Sequence, residues 1–327
     1  MRILMVSRSK IPVFAYGGTE RVIWDLGRAL TTLGHEVTYL VEPGSTCSFA
    51  KVIELRDDLA LSQQIPSDVD LVHFHFFPAQ AGDIPQPCVY TQHGNSSVGE
   101  KLPLNTVFLS RDHAQRHGSD CFVYNGLDWS EYGAPNLSLP ARAHAHFLGK
   151  AAWRVKNLKG AIAVARKARV HLDVLGGTRL NLKRGVRFTP WPSIHFHGMV
   201  GGEHKFELLR NSRALIFPVR WHEPFGLAVI ESMFYGAPVF GTPYGALPEL
   251  VSAEDGVLAT DASTLAYAVT GFQPNRKATH ERVQDQFNAQ RMARDYLARY
   301  ADVLDGRVLN TQAPCMAESA LNLDWLA

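Results

Sequence analysis

The sequence predicts an α/β protein made of two doubly wound, Rossmann-like domains. Short apolar runs at residues 2–7, 37–41, 71–75 and 88–92 surround a segment of helical spacing at 19–33. A stretch at 129–143 bearing Gly133, Pro135 and Pro140 interrupts that alternation, which restarts at Ala145. The chain of 327 residues is long enough for two domains of ordinary size. The expected division is 1–140, 141–290, and a C-terminal helix with a tail over 291–327.

Composition narrows the class. At 46% hydrophobic and 20% charged residues, the chain reads as a soluble globular protein. Cys47, Cys88, Cys121 and Cys315 are scattered without C-x-x-C spacing, which predicts neither a disulfide frame nor a zinc site. The opening MRILMVSRSK has too short an apolar run for a signal peptide, and no stretch approaches the ~20 apolar residues of a membrane helix. A cytoplasmic protein without a membrane span is expected, with peripheral membrane contact left open. Net charge is +2 but uneven: residues 1–140 carry 10 Lys+Arg and 15 Asp+Glu, net −5, and residues 141–327 carry 23 and 16, net +7. A basic second half suits a phosphate-bearing ligand, and nucleic-acid motifs are lacking.

In the first domain, Arg2–Ser7 is a strand, followed by a loop with Pro12, Gly17 and Gly18. Thr19 is the expected cap of a helix to Leu33, with Val22, Ile23, Leu26, Ala29 and Leu30 on one face. Val37–Val41 completes a βαβ unit that lacks the G-x-G-x-x-G of dinucleotide binders. Asp68-Val69-Asp70 matches a D-x-D metal signature, but it runs into the apolar Leu71–His75, so Asp70 reads as a strand-entry residue. Cys88–Gln92 is a strand ending in His93, at the carboxyl end where ligands bind in open sheets. Strands at Val107–Ser110 and Cys121–Tyr124, with a short helix between, close the domain.

In the second domain, Ala145–Leu148 is a strand followed by Gly149-Lys150, and Lys156–Gly160 opens a helix. Cations at a helix start suit a diphosphate without a metal. Strands follow at His171–Gly176 and His195–Gly198, then Met199-Val200, a helix near Glu203–Leu209, and a strand at Ala214–Pro218. His280–Leu304 is an amphipathic helical region; the tail after Arg307 shows no pattern.

The functional signal is concentrated in FPVRWHEPFGLAVIESMFYGAPVFGTPYGALPEL, Phe217–Leu250. Pro224-Phe225-Gly226 reads as a turn, Leu227–Tyr235 as a helix stopped by Gly236-Ala237-Pro238, and Val239-Phe240 as a strand. A helix N-terminus offers unpaired N–H groups and positive dipole charge to an anion or a hydroxyl-rich ligand. Glu223 precedes that terminus and Glu231 follows eight residues later. On one helix that spacing is about 12 Å, longer than the about 5–9.5 Å of glycosidase carboxylate pairs. It fits two separate hydroxyl-binding tasks.

This stretch resembles the nucleotide-sugar site of the retaining family 4 glycosyltransferases, within glycosyl transferases group 1, which have the GT-B fold of two domains facing across a cleft. The match runs through Pro218, Glu223, Phe225, Gly226, Leu227, Glu231, Met233, Gly236, Pro238, Val239, Gly245, Pro248 and Glu249. The first βαβ unit, with Y-G-G-T-E-R-V and G-H-E-V, the D-x-x-H-x-H strand, His93 and the N-G-x-D turn at Asn125 resemble the same family. The likeness extends over about residues 2–305. It implies that Glu223 contacts the donor sugar, that amides at Phe225, Gly226 and Leu227 line sugar and phosphates, and that Glu231 binds ribose hydroxyls. It implies that Gly17 and Gly18 approach the donor phosphate, that His93 hydrogen-bonds the sugar, and that Met199 and Val200 touch the base. Lys156 holds the family's lysine position, whereas Lys150 stands where the family has arginine, keeping the charge and losing the bidentate fork. The C-terminal helix is implied to return to the first domain.

The expected activity is metal-independent, retaining transfer from a nucleoside-diphosphate-sugar to a glycan, lipid-linked or small-molecule acceptor, with no cofactor. The catalytic set is His93, Glu223, Lys156 and Lys150. A nucleotide-sugar 2-epimerase of related fold and a non-catalytic nucleotide-sugar-binding protein are the alternatives.

Overall fold

A computed structural model describes residues 1–13, 17–78, 84–138, 144–181 and 187–327. Residues 14–16 of the expected glycine loop, and Pro140 with the rest of 139–143, lie outside the described residues. In chain order the first elements are β1 (Arg2–Val6), α1 (Gly18–Thr32), β2 (Glu36–Val41), β3 (Lys51–Glu54), β4 (Leu71–Phe74), β5 (Cys88–Thr91), β6 (Thr106–Val107) and α2 (Arg111–Gln115). They are followed by β7 (His144–Leu148), α3 (Leu158–Lys167), β8 (His171–Leu175), β9 (Leu180–Asn181), β10 (Arg187–Phe188), β11 (Ile194–Phe196) and α4 (Gly202–Arg210). The rest are β12 (Leu215–Phe217), α5 (Leu227–Phe234), β13 (Val239–Gly241), α6 (Leu247–Leu250), β14 (Gly256–Leu258), α7 (Ala262–Gly271), α8 (Arg276–Gln286) and α9 (Ala289–Leu304).

The chain forms two compact units. The first contains Met1–Val13, Gly17–Asp128 and Phe287–Ser319. Its parallel sheet has the order β3-β2-β1-β4-β5-β6, with Met5 of β1 registered between Tyr39 and His73. Strand order reverses at the β1/β4 boundary, the switch point outside which open sheets place ligands. Helix α1 buries Val22, Ile23, Leu26, Ala29 and Leu30, the stripe the spacing predicts, and packs against α9. In turn α9 buries Met292, Tyr296 and Tyr300, each one helical turn from the next.

The second unit contains Trp129–Gln286 and Ala320–Ala327. Its sheet order, β11-β8-β7-β12-β13-β14, repeats the first pattern, with the switch point between β7 and β12. Phe147, Leu172, Val174, Ile216 and Phe240 from the sheet join Leu158, Ala161, Val164, Leu265 and Val269 from α3 and α7 in one buried cluster. Full burial of such side chains contributes about 1.5–3 kcal/mol each. A short antiparallel pair, β9 with β10, lies outside this sheet. Among the described residues no helix is long and apolar enough to cross a membrane.

Several boundaries differ from expectation. The units divide at Asp128/Trp129, ahead of 140/141. The cause lies in the stretch expected as linker: Trp129–Tyr132 is a 3₁₀ turn whose Trp129 stacks on Phe234 with centroids 4.5 Å apart. Helix α1 is capped at Gly17 and begins one residue before Thr19, with no side-chain cap bond. Phe122 makes only an isolated bridge with Phe108, so Cys121–Tyr124 is not a full strand. The region 280–304 breaks into two helices because Asn288 caps α9, its side chain accepting the Arg291 N–H. The tail is ordered by backbone pairing: Lys101 with Cys315 in the first unit, and Trp221 with Leu321 and Asp261 with Leu326 in the second.

Candidate functional site

The second unit assembles a site from the loops after β7 and β12, the two strands flanking its switch point. After β7 the backbone turns at Gly149-Lys150, with Gly149 N–H on the Leu175 carbonyl at 3.0 Å and Ala151 N–H on the Gly176 carbonyl at 2.8 Å. A 3₁₀ turn, Arg154–Lys156, leads into α3, whose cap Asn157 accepts the Gly160 N–H at 3.0 Å. The Asn157 amide also donates to the Pro218 carbonyl at 2.9 Å, joining the two loops. Arg220 N–H donates to Val155 O at 2.7 Å, and His222 N–H donates to Ala320 O at 2.8 Å. The segment leading to Glu223 is therefore held on both sides.

Lys156 and Glu223, expected to serve phosphate and sugar separately, meet. Lys156 Nζ donates to Glu223 Oε2 at 2.6 Å, and the Trp221 indole N–H donates to the same oxygen at 2.8 Å. Lys156 Nζ also lies 4.8 Å from the Trp221 ring centroid, within cation–π range. The two charged side chains are 11% and 9% exposed, so Lys156 is not a solvated helix-start cation. Glu223 Oε1 has no hydrogen-bond partner among the described residues, which leaves one carboxylate oxygen to accept from a ligand. Lys150 is half-buried, with Nζ 5.1 Å from the Trp153 ring centroid.

The turn beyond Glu223 depends on glycine. Gly245 has φ +65°, and a Cβ there would lie 2.3 Å from both Glu223 N and O. Ala246 N–H donates to that Glu223 carbonyl at 2.9 Å. Gly226 takes the cap of α5 at φ +107°, another left-handed position, and Phe225 is buried behind it. Leu227 and Ala228, the first turn of α5, keep surface exposure beside it.

Glu231, inside α5, is 5% exposed. Its Oε1 accepts from Lys205 Nζ at 2.6 Å and from the Tyr132 hydroxyl at 2.7 Å. Met199 is exposed and Val200 half-buried in the loop after β11. Trp153, Arg154, Val155, Trp221 and Leu321 line an adjoining groove of about 520 Å³.

In the first unit, Gly17 is buried with extended backbone at φ −174°, and a Cβ there would lie 2.7 Å from Val13 Cγ1. Its glycine requirement is close packing rather than a turn conformation. Gly18 is the first residue of α1. His93 follows β5, partly exposed, with Nε2 2.9 Å from His75 Nδ1. Burial lowers the His93 pKa to about 4, so its imidazole is neutral at pH 7. The loop after it is held by His113, which accepts from Leu109 N–H at Nδ1 and so donates from Nε2 to the Gly94 carbonyl at 3.1 Å. Asp70 accepts from the Arg2 backbone and guanidinium at 2.7 and 3.0 Å, and Asp68 lies 3.7 Å from the same guanidinium.

Sequence reasoning did not find Trp221, Lys205 and Tyr132. Lys205 shares a helix face with Leu209 four residues on, a register that marks a buried lysine. Trp221 stands two residues before Glu223, and Tyr132 lay in the expected linker.

Residues 142–272 match the family described as glycosyl transferases group 1, about two-fifths of the chain. No curated protein matches significantly. Among solved structures, AviGT4, a glycosyltransferase involved in avilamycin A biosynthesis, is similar with TM-score 0.74 and 23% identity, covering 93% of this chain and 98% of that one. A sucrose-phosphate synthase from Thermosynechococcus elongatus is similar with TM-score 0.67 and 18% identity, covering 93% and 99%. HepE of Anabaena, in complex with UDP-glucose, is similar with TM-score 0.66 and 16% identity, covering 94% and 100%. The architecture is GT-B. The matched segment lies within the second unit, Trp129–Gln286, and supports a transferase enzyme.

Proposed function

We propose that the protein is a family 4 glycosyltransferase that moves a sugar from a nucleoside-diphosphate-sugar to a glycan, lipid-linked or small-molecule acceptor. Transfer retains anomeric configuration and needs no metal ion. The observation that carries this reading is the Lys156–Glu223–Trp221 cluster at the switch point of the second sheet. Two donors hold Glu223 Oε2, which orients the carboxylate and leaves Oε1 for a sugar hydroxyl. A relative in complex with UDP-glucose supports a donor of this class.

In this reading Phe225, Gly226 and Leu227 line the sugar and phosphates with their amides, Glu231 accepts from ribose hydroxyls, and Met199 and Val200 meet the base. Gly17 and Gly18 approach the donor phosphate. His93 serves transfer as a neutral hydrogen-bonding group. Lys156 and Lys150 neutralise the departing diphosphate, the main electrostatic demand of the transition state. The bond from anomeric carbon to phosphate oxygen breaks as the acceptor oxygen bonds that carbon on the same face. The acceptor proton passes to the departing phosphate oxygen. Both site carboxylates are held by lysines, which supports this leaving-group-assisted route over a covalent glycosyl-enzyme. Metal independence is supported by the engagement of Asp68 and Asp70 with Arg2.

The test is a thermal-shift panel of UDP-, GDP- and ADP-sugars, followed by release of nucleoside diphosphate. A ligand at 100 times its Kd stabilises by about 2.7 kcal/mol. One nucleotide series should shift the melting temperature and turn over. No shift and no release across the panel would overturn the reading.

A further inference from the structure

His75 follows the last residue of β4, at the carboxyl side of the switch point in the first sheet. It is 8% exposed. Its Nδ1 lies 2.9 Å from His93 Nε2, with the two rings 5.2 Å apart. On its other side the ring of His73 lies 4.2 Å away. His73 is itself locked, with Nε2 on the Thr91 hydroxyl and Nδ1 on the Tyr300 hydroxyl, both at 2.7 Å. His75 Nε2 is buried and has no hydrogen-bond partner among the described residues.

These contacts decide where the protons sit. Burial holds His73, His75 and His93 below their ordinary pKa, so each carries one ring proton at pH 7. If the His75 proton were on Nε2, a buried N–H would be left unpaired. If it is on Nδ1, only a lone pair is left, and orphaned buried donors are the rarer and costlier defect. His75 therefore donates from Nδ1. His93 accepts at Nε2 and must carry its own proton on Nδ1.

We infer that His75 is a positioning residue that holds His93 in its Nδ1–H tautomer, so that His93 meets its ligand as a hydrogen-bond donor at Nδ1. The role of His93 in transfer rests on the proposed function; the tautomer does not. A donor at that atom selects an oxygen acceptor, a sugar hydroxyl or ring oxygen, over a group that must be deprotonated.

The experiment is ¹⁵N imidazole spectroscopy of histidine-labelled protein at neutral pH, with His93 assigned through His93→Gln. Wild-type protein should show His93 protonated at Nδ1 and bare at Nε2. In His75→Phe the partner is gone, and His93 should shift to the Nε2–H form that free imidazole prefers. His75→Asn places a side-chain N–H near the former Nδ1 and should restore the wild-type signature. A wild-type His93 protonated at Nε2, or a tautomer unchanged in His75→Phe, overturns the inference. If His75→Phe does not fold, the wild-type and His75→Asn spectra still decide.

Turnover of UDP-glucose, GDP-mannose and ADP-glucose supplies the second arm. With whichever donor the enzyme accepts, His75→Phe should lower kcat on the order of tenfold, with recovery in His75→Asn. Normal turnover in His93→Ala, beside the expected spectra, would refute the role of His93 in transfer and leave the tautomer assignment standing. Lost turnover in His93→Ala, beside an unmoved tautomer in His75→Phe, would do the reverse.

Discussion

Lys205 Nζ sits 2.6 Å from Glu231 Oε1, with side chains only 4% and 6% exposed. This is a more deeply buried pair than Lys156–Glu223. Removing one partner of a buried ion pair leaves an uncompensated charge and costs about 3–5 kcal/mol. Lys205→Met should lower unfolding free energy by that order in urea titration. A loss below about 1 kcal/mol would show that Glu231 finds other compensation.

In the proposed donor complex, Glu231→Ala would remove charge-assisted hydrogen bonds to a ribose, each worth about 1.5–3 kcal/mol. The Kd for the preferred nucleoside diphosphate should rise at least tenfold by calorimetry. Because the variant also breaks the buried ion pair with Lys205, the melting temperature should fall as well. Unchanged affinity in folded variant would remove Glu231 from the binding site.

Lys156→Ala should reduce turnover more than donor affinity, on the order of 10²-fold, since leaving-group charge is greatest in the transition state. Trp221→Phe removes one of the two donors to Glu223 Oε2 and should produce a smaller loss in the same direction. The measurement is kcat beside diphosphate Kd for both variants. Normal kcat in Lys156→Ala would move the phosphate role to Lys150 or Arg154.

Asp25 in α1 is buried, and burial raises its pKa from 3.8 to about 7 while its Oδ2 accepts the Asp128 N–H. A folded-state pKa above the unfolded one means that the native state holds the proton more tightly. That contribution is fully present below about pH 4 and is lost as pH rises through about 7. Asp25→Asn keeps an acceptor for the Asp128 N–H without the charge. The variant should therefore melt above wild type at pH 8, with the difference shrinking toward pH 5. A constant difference across that range would assign the effect to packing.

Transfer should survive EDTA, and Asp68→Asn should leave the rate within a few-fold of wild type. Both carboxylates of the D-x-D lie against Arg2, and Asp70 directly precedes β4, at the end of the strand opposite the carboxyl side. Activity abolished by EDTA and restored by Mg²⁺ or Mn²⁺ would sink the metal-free reading.

Much of the fold was legible in short-range pattern. The stripe Val22, Ile23, Leu26, Ala29 and Leu30 faces inward in α1 as its 3.6-residue spacing requires. The α5 turn at Gly226 and the helix stop at Gly236 were readable because left-handed backbone selects glycine. Phe122 shows the limit. Its apolar neighbourhood has strand propensity, but pairing needs a partner in register, and among the described residues Phe108 alone provides one.

By itself, then, the sequence determined two doubly wound α/β domains and the order of most of their elements, though not β3, β9, β10, β14 or α7, and its motifs singled out Glu223, Glu231, Lys156 and His93 as candidates. Those are properties of periodicity, turn chemistry and local motif, which act over a few residues. Only the tertiary structure decided which groups pair. Lys156 and Glu223 are 67 positions apart, Tyr132 and Glu231 are 99 apart, and Tyr300 and His73 are 227 apart. A carboxylate bonds whichever donor the packed elements bring within about 3 Å, and that distance is set by sheet order and helix docking rather than by spacing along the chain.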